Sequence, residues 1–441
     1  MQAPLAQREI RPDPASAFLD PSASPQGGQE GGTPAQPAVT VAPGEGSAMP
    51  AAPTSAARAP AGPVNLLGLD RQGFLDFCGG MGEKPFRAHQ LMRWVHQRGV
   101  SDWSAMTDLA RSFRERLQDK ALIQAPSVLK DHTAPDATRK WLFDVGAGNA
   151  VEAVFIPEAR RGTLCVSSQA GCAVNCSFCS TGKQGFSRNL STAEILGQIW
   201  LANQLLRQPG AQPRWGGADD MAQLDEDVDD AGALRPISNI VFMGMGEPMV
   251  NYKNVVGALH RLIDPSPEGF GMSARGITVS TVGLVPLIRR LADEGLPVTL
   301  AVSLHAPDDE LRDELIPVNS KWKVGELLDA AHDYFLATGR RVSIEYALIK
   351  DMNDHAWRAQ LLADELNRRD TGWAHVNPIP LNPTPGSIWT CSEVAVQDMF
   401  VDTLRRAGIT TTVRDTRGSD IDGACGQLAT EVLNQERAKT T

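Results

Sequence analysis

Three cysteines lie close together in the chain, at Cys172, Cys176 and Cys179. A zinc site usually takes four protein ligands, often as paired Cys-x-x-Cys motifs. Three thiolates instead suit an iron–sulfur cluster in which one iron stays open to a further ligand. The spacing therefore favours such a cluster, and a zinc site or buried structural cysteines are the alternatives.

Two further cysteines have surroundings that bear on chemistry. Cys165 lies in an apolar run just before the cluster motif, where a buried, inert thiol is the usual outcome. Cys425 lies between Gly423 and Gly426 after a polar stretch, which indicates an accessible loop and a reactive thiol. The remaining pair, Cys78 and Cys391, we interpret as structural or incidental.

Alternating strands and helices must position these groups. Two strands are predicted near 140–143 and 151–156, followed by a repeating pattern of apolar runs and helix-length segments. The six runs of that pattern are 163–167, 239–243, 276–280, 298–303, 341–347 and 374–379. Such alternation is typical of a parallel sheet with crossover helices, so we expect an α/β fold, a partial (β/α)6 TIM-type barrel. One helix is predicted to begin with a capping box formed by Ser191 and Glu194.

Polar residues and glycines follow these strands where each strand ends. Because the chemistry of a barrel lies at the carboxyl ends of its strands, we expect these residues to meet at one mouth. They are Gly246 and Glu247 after the second strand, Ser280 at the end of the third, Ser303, Leu304 and His305 at the end of the fourth, and Asn382 after the sixth.

The chain divides into segments of different composition. Residues 1–63 hold twelve of the 30 prolines and are predicted to be disordered. Residues 64–130 show helical spacing of apolar residues, and residues 131–434 form the barrel domain. A disordered acidic insertion is expected at 209–236 and a short tail at 435–441.

Composition excludes several classes of protein. Among the 441 residues no apolar run reaches the length of about 18 that a membrane helix needs. Seven cysteines, an odd number, argue against a secreted disulfide scaffold. The N-terminus does not resemble a signal peptide, so we expect a cytoplasmic protein, and a monomer by default.

The charge distribution limits how a nucleic acid could bind. The net charge is −10, but the helical segment 64–130 has a net charge of +3. A nucleic-acid contact would therefore be a local patch on this accessory domain, and a solvated helical face is the simpler alternative.

The cysteine motif after the first barrel strand resembles that of the radical S-adenosylmethionine superfamily. Phe178 matches the aromatic residue usual before the third cysteine, and residues 244–248 resemble the glycine-rich turn of that superfamily. The resemblance implies one 4Fe-4S cluster on Cys172, Cys176 and Cys179. Its open iron would chelate S-adenosylmethionine, which an electron cleaves to a 5′-deoxyadenosyl radical.

Residues 64–434 as a whole resemble the RlmN family, which methylates C2 of an adenine in 23S rRNA and in tRNA. The matching segments are 82–88, 163–169, the cysteine motif, 244–248, 303–307 and 417–428. The resemblance implies that Cys425 carries the methyl group, that Cys165 resolves an RNA adduct through a transient disulfide with Cys425, and that Glu152 accepts a proton.

The same resemblance implies the cofactor site and the partners. S-adenosylmethionine would be bound by the strand-end set Gly246, Glu247, Ser280, Ser303, Leu304, His305 and Asn382, with two molecules used per turnover. The partners would be 23S rRNA, tRNA and an external electron donor, expected to be flavodoxin-like, with no membrane.

Three alternatives remain at this point. A related enzyme could methylate C8 of the same adenine. A radical enzyme acting on a small molecule would need neither Cys425 nor the accessory domain. A non-enzymatic iron–sulfur or zinc protein would not cleave S-adenosylmethionine.

The carrier hypothesis predicts a modification of the protein itself. In protein expressed with iron and sulfide, we expect mass spectrometry to find one added methyl group on Cys425. The methyl group should be absent when Cys172, Cys176 and Cys179 are all changed to Ala. An unmodified Cys425 in protein that holds its cluster and binds S-adenosylmethionine would point to a different radical enzyme.

Overall fold

The computed structural model describes residues 62–158, 161–208, 236–382, 387–414, 417–423 and 427–428. The predicted disordered tail 1–63 and acidic insertion 209–236 lie, apart from residues 62–63 and 236, outside the described residues. The predicted tail 435–441 also lies outside them. Among the described residues, no helix is long and apolar enough to cross a membrane.

The N-terminal part of the described chain is mainly helical, as predicted. Its elements are β1 (Val64–Asn65), α1 (Arg71–Gly80), α2 (Pro85–Met92), α3 (Arg111–Lys120) and β2 (Ala121–Leu122). A π-helical turn, Arg93–Gln97, continues α2. The parallel pairing of β1 with β2 closes this unit around buried Phe74 and Phe113.

Four antiparallel strands follow and lead into the barrel. They are β3 (Ser127–Thr133), β4 (Arg139–Gly146), β5 (Asn149–Glu158) and β6 (Arg161–Cys165). A short hairpin, β7 (Gln169–Gly171) and β8 (Phe186–Asn189), then encloses the cysteine motif and α4 (Ser180–Lys183).

The rest of the chain alternates strands and helices. In chain order the elements are α5 (Thr192–Arg207), β9 (Asn239–Phe242), α6 (Tyr252–Ile263), β10 (Ile277–Thr281), α7 (Val285–Asp293), β11 (Thr299–Ser303), α8 (Asp309–Leu315), α9 (Val324–Thr338), β12 (Val342–Leu348), α10 (Ala356–Asn367), β13 (Ala374–Pro380), α11 (Val394–Arg406) and β14 (Thr410–Thr411). The capping box of Ser191 and Glu194 is present at the start of α5, which confirms that prediction.

One ten-stranded sheet contains most of these strands. Its order is β14-β13-β12-β11-β10-β9-β6-β5-β4-β3, with parallel pairing from β6 to β14 and antiparallel pairing from β3 to β6. The predicted partial barrel of six strand–helix units is therefore confirmed. The sequence did not predict β3 or β14, because β3 is exposed along its whole length and β14 has only two residues.

The helical N-terminal unit packs against the first barrel helix. Its apolar core includes Ala193 and Trp200 of α5. The indole Nε1 of Trp200 donates a hydrogen bond to the carbonyl of Val95 at 2.9 Å. Because α5 begins directly after the β7–β8 hairpin, the helix that holds the N-terminal unit is also the helix that follows the cysteine motif in the chain.

A buried guanidinium connects the ends of the central strands. Arg312 in α8 is fully buried. Its Nε donates to the carbonyl of Leu304 at 3.0 Å, and its Nη2 donates to the carbonyls of Val282 at 2.5 Å and Ser303 at 3.2 Å. Its Nη1 donates to Asn319 Oδ1 at 2.7 Å. One side chain thus satisfies carbonyls that follow both β10 and β11.

Replacing this guanidinium should damage the fold strongly. Arg312→Met leaves buried carbonyls without donors, each costing about 1–3 kcal/mol, so we expect a loss of roughly 3 kcal/mol or more. Thermal unfolding of the cluster-free protein measures it. As a control, Arg289→Met removes a half-exposed arginine that lies 3.6 Å from Asp333, where about 0–1 kcal/mol is expected. Equal melting temperatures for the two variants would contradict the prediction.

Candidate active site

A cavity opens at the carboxyl ends of the parallel strands. Most of the residues predicted from strand ends line it together with the three motif cysteines. The predicted residues in its wall are Cys172, Cys176, Cys179, Gly246, Glu247, Ser280, Ser303, His305 and Asn382. The structure therefore brings these nine residues into one site.

Tight backbone geometry shapes the cysteine loop. Gly171 has a φ of +76°, and a Cβ there would lie 1.9 Å from the carbonyl oxygen of Gly185, so only glycine fits. Asn175, between the first two cysteines, has a φ of +60°. Asparagine tolerates this left-handed conformation better than most residues, and the turn directs the flanking thiols into the cavity.

The thiols themselves are poor anions without a metal. Burial raises the pKa of Cys172 to about 12 and raises the pKa of Cys176 well above its ordinary value. At neutral pH both would therefore carry protons, and metal binding would displace them. Three neighbouring thiols in one cavity wall, one buried and two half-buried and none in a disulfide, fit the donor set of a cluster.

A single metal ion fits less well. The described residues contain no group of three His, Cys, Asp or Glu side chains placed to hold one ion. A cluster places each thiolate on a different iron, so its thiols need not converge on one point. The arrangement of the three described thiols is therefore compatible with a cluster.

The loop after β9 fits tightly against the start of β7. Gly246 has a φ of +98°, and a Cβ there would lie 2.4 Å from the Cβ of Gln169. The carboxylate of Glu247 accepts hydrogen bonds from the backbone N–H groups of Met249 and Val282, each at 2.9 Å. Burial raises the pKa of Glu247 to about 7, although these hydrogen bonds oppose the shift. Glu247 therefore connects the loops that follow β9 and β10.

The turn after β11 holds a neutral imidazole in the cavity wall. His305 has a φ of +59°, and its Nδ1 accepts a hydrogen bond from the N–H of Ala347 at 2.9 Å. The proton of the neutral ring is then on Nε2. Burial lowers the pKa of His305 to about 3, so the ring stays uncharged at neutral pH. Phe178 packs edge-on against it, with ring centroids 4.9 Å apart.

Of the other predicted strand-end residues, Ser280 and Asn382 line the cavity and Leu304 does not. Ser280 lines the cavity while its Oγ donates to the carbonyl of Phe242 at 2.6 Å. Asn382 is buried in the wall. The side chain of Leu304 is fully buried and does not line the cavity. The backbone N–H of Leu304 donates a hydrogen bond to the carbonyl of Glu345 at 3.1 Å.

Sequence reasoning missed two charged residues of the cavity. Glu345 lies inside β12, and its Oε1 accepts hydrogen bonds from Ser343 at 2.7 Å and Asn377 at 3.0 Å. Arg414, after β14, has its Nη1 3.7 Å from Glu345 Oε2. An acidic residue inside an otherwise apolar run was the available signal for Glu345, since buried carboxylates are rare unless they are paired.

Two residues with predicted catalytic roles lie on the antiparallel strands β5 and β6, outside the cavity lining. Glu152 of β5 is buried, with its Oε1 3.3 Å from Lys140 Nζ on β4. Cys165 of β6 is buried and stands opposite Val154 of β5 in the strand register. Side chains two apart on a strand share a face, so Glu152, Val154 and Cys165 belong to the same face of these strands.

Cys425, the predicted carrier, lies outside the described residues, but its neighbours in sequence are described. A Cβ on Gly423 would lie 3.6 Å from Cγ1 of Val154, the residue opposite Cys165. On the other side, the carbonyl of Leu428 accepts a hydrogen bond from Thr181 Oγ1 at 2.8 Å. Thr181 itself lines the cavity. The described residues on either side of Cys425 therefore contact β5 and the end of the cysteine loop.

Comparison with known proteins agrees with this architecture. Residues 64–123 match the ribosomal RNA large subunit methyltransferase N-terminal domain, and residues 166–361 match the radical SAM superfamily. A radical SAM methyltransferase from Sphaerobacter thermophilus has a similar structure, with a TM-score of 0.73 and 39% sequence identity. The match covers 83% of this chain and 99% of that one.

Curated relatives match over nearly their whole length. A probable dual-specificity RNA methyltransferase RlmN from Kocuria rhizophila is 54% identical over 370 residues, which are 84% of this chain and 93% of that protein. The protein of the same description from Thermobifida fusca is 54% identical over 368 residues, covering 83% and 95%. The chain therefore belongs to the RlmN family, within the radical SAM superfamily.

Proposed function

We propose that this chain methylates C2 of an adenine in 23S rRNA and in tRNA, with Cys425 as the methyl carrier. One observation carries the proposal most directly. The three motif thiols line the same cavity as the strand-end residues, and the described neighbours of Cys425 reach the edge of that cavity and the strand opposite Cys165. A small-molecule radical enzyme would not need such a carrier.

The cavity residues would hold the cluster and S-adenosylmethionine. Cys172, Cys176 and Cys179 would ligate one 4Fe-4S cluster, which together with S-adenosylmethionine supplies a carbon radical able to abstract hydrogen. Gly246, Glu247, Ser280, Ser303, His305 and Asn382 would line the S-adenosylmethionine site, with Leu304 contributing through its backbone.

A carrier thiol solves the problem of an electron-poor target. C2 of adenine has no lone pair and cannot attack a sulfonium methyl group, whereas a thiolate can. Cys425 would therefore take a methyl group from a first S-adenosylmethionine. After a second molecule provides the hydrogen-abstracting radical, the methylene radical on Cys425 would add to C2.

Release of the RNA needs a second thiol within disulfide reach. After the adduct has lost its C2 proton and passed its unpaired electron to the oxidised cluster, the thiolate of Cys165 would attack the sulfur of Cys425. The bond between that sulfur and the methylene carbon would break, a transient disulfide would form, and the methylene carbon would take up a proton to become the methyl group. A disulfide requires Cα atoms roughly 5.5–6 Å apart. Gly423 lies beside Val154, the residue opposite Cys165 in the strand register. Cys425 follows Gly423 by two residues, so their Cα atoms are at most about 7 Å apart.

Glu152 would accept the proton that leaves C2 once the adduct has formed. It is buried on the strand face that also presents Cys165, so both groups would meet the same intermediate. This placement supports the role that the family resemblance implies.

RNA would contact exposed basic residues of the helical N-terminal unit. Several of its arginines are engaged within the unit: Arg87 lies 3.8 Å from Glu83, Arg111 lies 2.9 Å from Glu115, and Arg116 pairs with Glu83. Among the described residues, the exposed Lys84 and Arg93 form no such ion pair.

We also propose a flavodoxin-like electron donor, a monomeric enzyme and a cytoplasmic location. A reducing compartment keeps the three motif thiols available for iron and allows the transient disulfide to be reduced again after each turnover.

The resolving role of Cys165 predicts a trapped intermediate. Cys165→Ala should accumulate a covalent RNA–protein adduct that survives denaturation, because the Cys425–RNA bond is no longer broken. We expect the adduct on denaturing gels with a labelled RNA fragment, and none with Cys425→Ala or with the double variant. Cys391→Ala, an exposed cysteine outside the site, serves as the matched control.

The product distinguishes the remaining possibilities. Nucleoside mass spectrometry should find 2-methyladenosine in RNA treated with the unaltered enzyme. Methyl groups at C8 would support the related C8 enzyme, and turnover by Cys425→Ala would overturn the carrier hypothesis.

If Lys84 and Arg93 contact RNA phosphates, replacing either one should change how RNA affinity depends on salt concentration. Lys84→Ala and Arg93→Ala should each weaken RNA binding and reduce the slope of log affinity against log salt concentration by roughly 1, because one phosphate contact is lost. Binding titrations at several salt concentrations measure the slope. Arg289→Ala, on the outer helix α7, should leave the slope unchanged, and equal slopes in all variants would place the RNA elsewhere.

A further inference from the structure

Lys140 contacts two parts of the site that the proposed reaction must bring together. Its Nζ lies 3.3 Å from Glu152 Oε1 and donates a hydrogen bond, also at 3.3 Å, to the carbonyl of Asp422. Asp422 lies three residues before Cys425. We propose that Lys140 is a positioning residue that holds Glu152 and the segment 417–423 in one arrangement, an inference that rests on the function proposed above.

Burial gives this ammonium its electrostatic effect. The side chain of Lys140 is 15% exposed and that of Glu152 is 6% exposed. Burial alone disfavours an ionised carboxylate, and a cation within 4–6 Å favours it. Lys140 therefore places a positive charge 3.3 Å from the carboxylate that is proposed to accept the proton.

The strand register explains why one lysine reaches both groups. Lys140 stands opposite Val154 in the β4–β5 pairing, so Glu152 is its diagonal neighbour on the same face. Gly423 lies against Val154 on that face. The lysine thus lies between the carboxylate and the segment that leads to Cys425.

A second contact holds the same segment without touching Glu152. Asp136 Oδ2 accepts a hydrogen bond from the N–H of Gly418 at 3.1 Å, and its Oδ1 accepts one from Thr138 at 2.9 Å. A Cβ on Gly418 would lie 2.8 Å from Thr138 Cγ2, so the backbone is packed closely here. Asp136 therefore provides a matched variant for loss of segment contact alone.

The first measurement is hydrogen–deuterium exchange of the peptide covering 417–423, in cluster-loaded protein without RNA. Lys140→Met and Asp136→Ala should each speed exchange about tenfold or more, since each removes a hydrogen bond to a charged group. Lys140→Arg and the control Arg289→Met should exchange at the rate of the unaltered protein. This arm needs no turnover, so it tests the placement even if the proposed reaction is wrong.

The second measurement separates the two half-reactions. Methylation of Cys425 by S-adenosylmethionine should proceed at equal rates in Lys140→Met and Asp136→Ala. Transfer from pre-methylated Cys425 to RNA in a single turnover should be slower in Lys140→Met than in Asp136→Ala, by about tenfold or more, because only Lys140 acts on the proton acceptor. Lys140→Arg should restore most of the transfer rate.

The comparison has clear contrary outcomes. Equal transfer rates in Lys140→Met and Asp136→Ala would show that Lys140 does not act through Glu152. Exchange in Lys140→Met equal to that of the unaltered protein would show that it does not hold the segment. Should Lys140→Met fail to fold, Lys140→Gln provides the second variant. Absence of methylated RNA with the unaltered enzyme would instead refute the proposed function.

Discussion

The loops after the parallel strands must satisfy their backbone hydrogen bonds inside the protein, and the rest of the site depends on that constraint. Buried side chains meet it. Arg312 donates hydrogen bonds to carbonyls that follow β10 and β11. Glu247 accepts hydrogen bonds from backbone N–H groups in the loops after β9 and β10. Asn353 donates to the carbonyls of His305 and Ala347 at 2.8 and 2.5 Å. These polar side chains fix the loops that carry the strand-end residues, so the cavity is preformed rather than assembled by its ligands.

The same burial determines the charge state of the cavity. Its imidazole is neutral, its metal-free thiols favour the protonated form, and burial raises the pKa of Glu247 to about 7. Uncharged groups beside the motif cysteines suit radical chemistry, because excluding solvent from reactive intermediates prevents their quenching. Glu152 and Lys140, for which catalytic and positioning roles are proposed, lie instead on the adjoining antiparallel strands β5 and β4.

Much of the fold was predictable because its signals are local. Six apolar runs predicted the barrel strands to within a few residues, and six of the predicted strand-end residues line one cavity together with the three motif cysteines. What could not be predicted depends on contacts distant in sequence. Arg312 looked like any helix arginine, and no pattern showed that Lys140 would lie between Glu152 and Asp422. The net positive charge of segment 64–130 predicted a local patch, yet several arginines of this segment pair with neighbouring glutamates.

The attachment points of the acidic segment 209–236 bear on how the chain tolerates added length. The segment follows α5 and returns at Pro236, whose carbonyl packs against Gly162 at the start of β6. That is the amino-terminal end of the barrel strands, opposite the cavity. Loop-closure entropy grows only with the logarithm of loop length, so doubling such a connection costs about 0.6 kcal/mol. Sequence can therefore drift in length and charge at this point with little thermodynamic penalty and without altering the catalytic mouth.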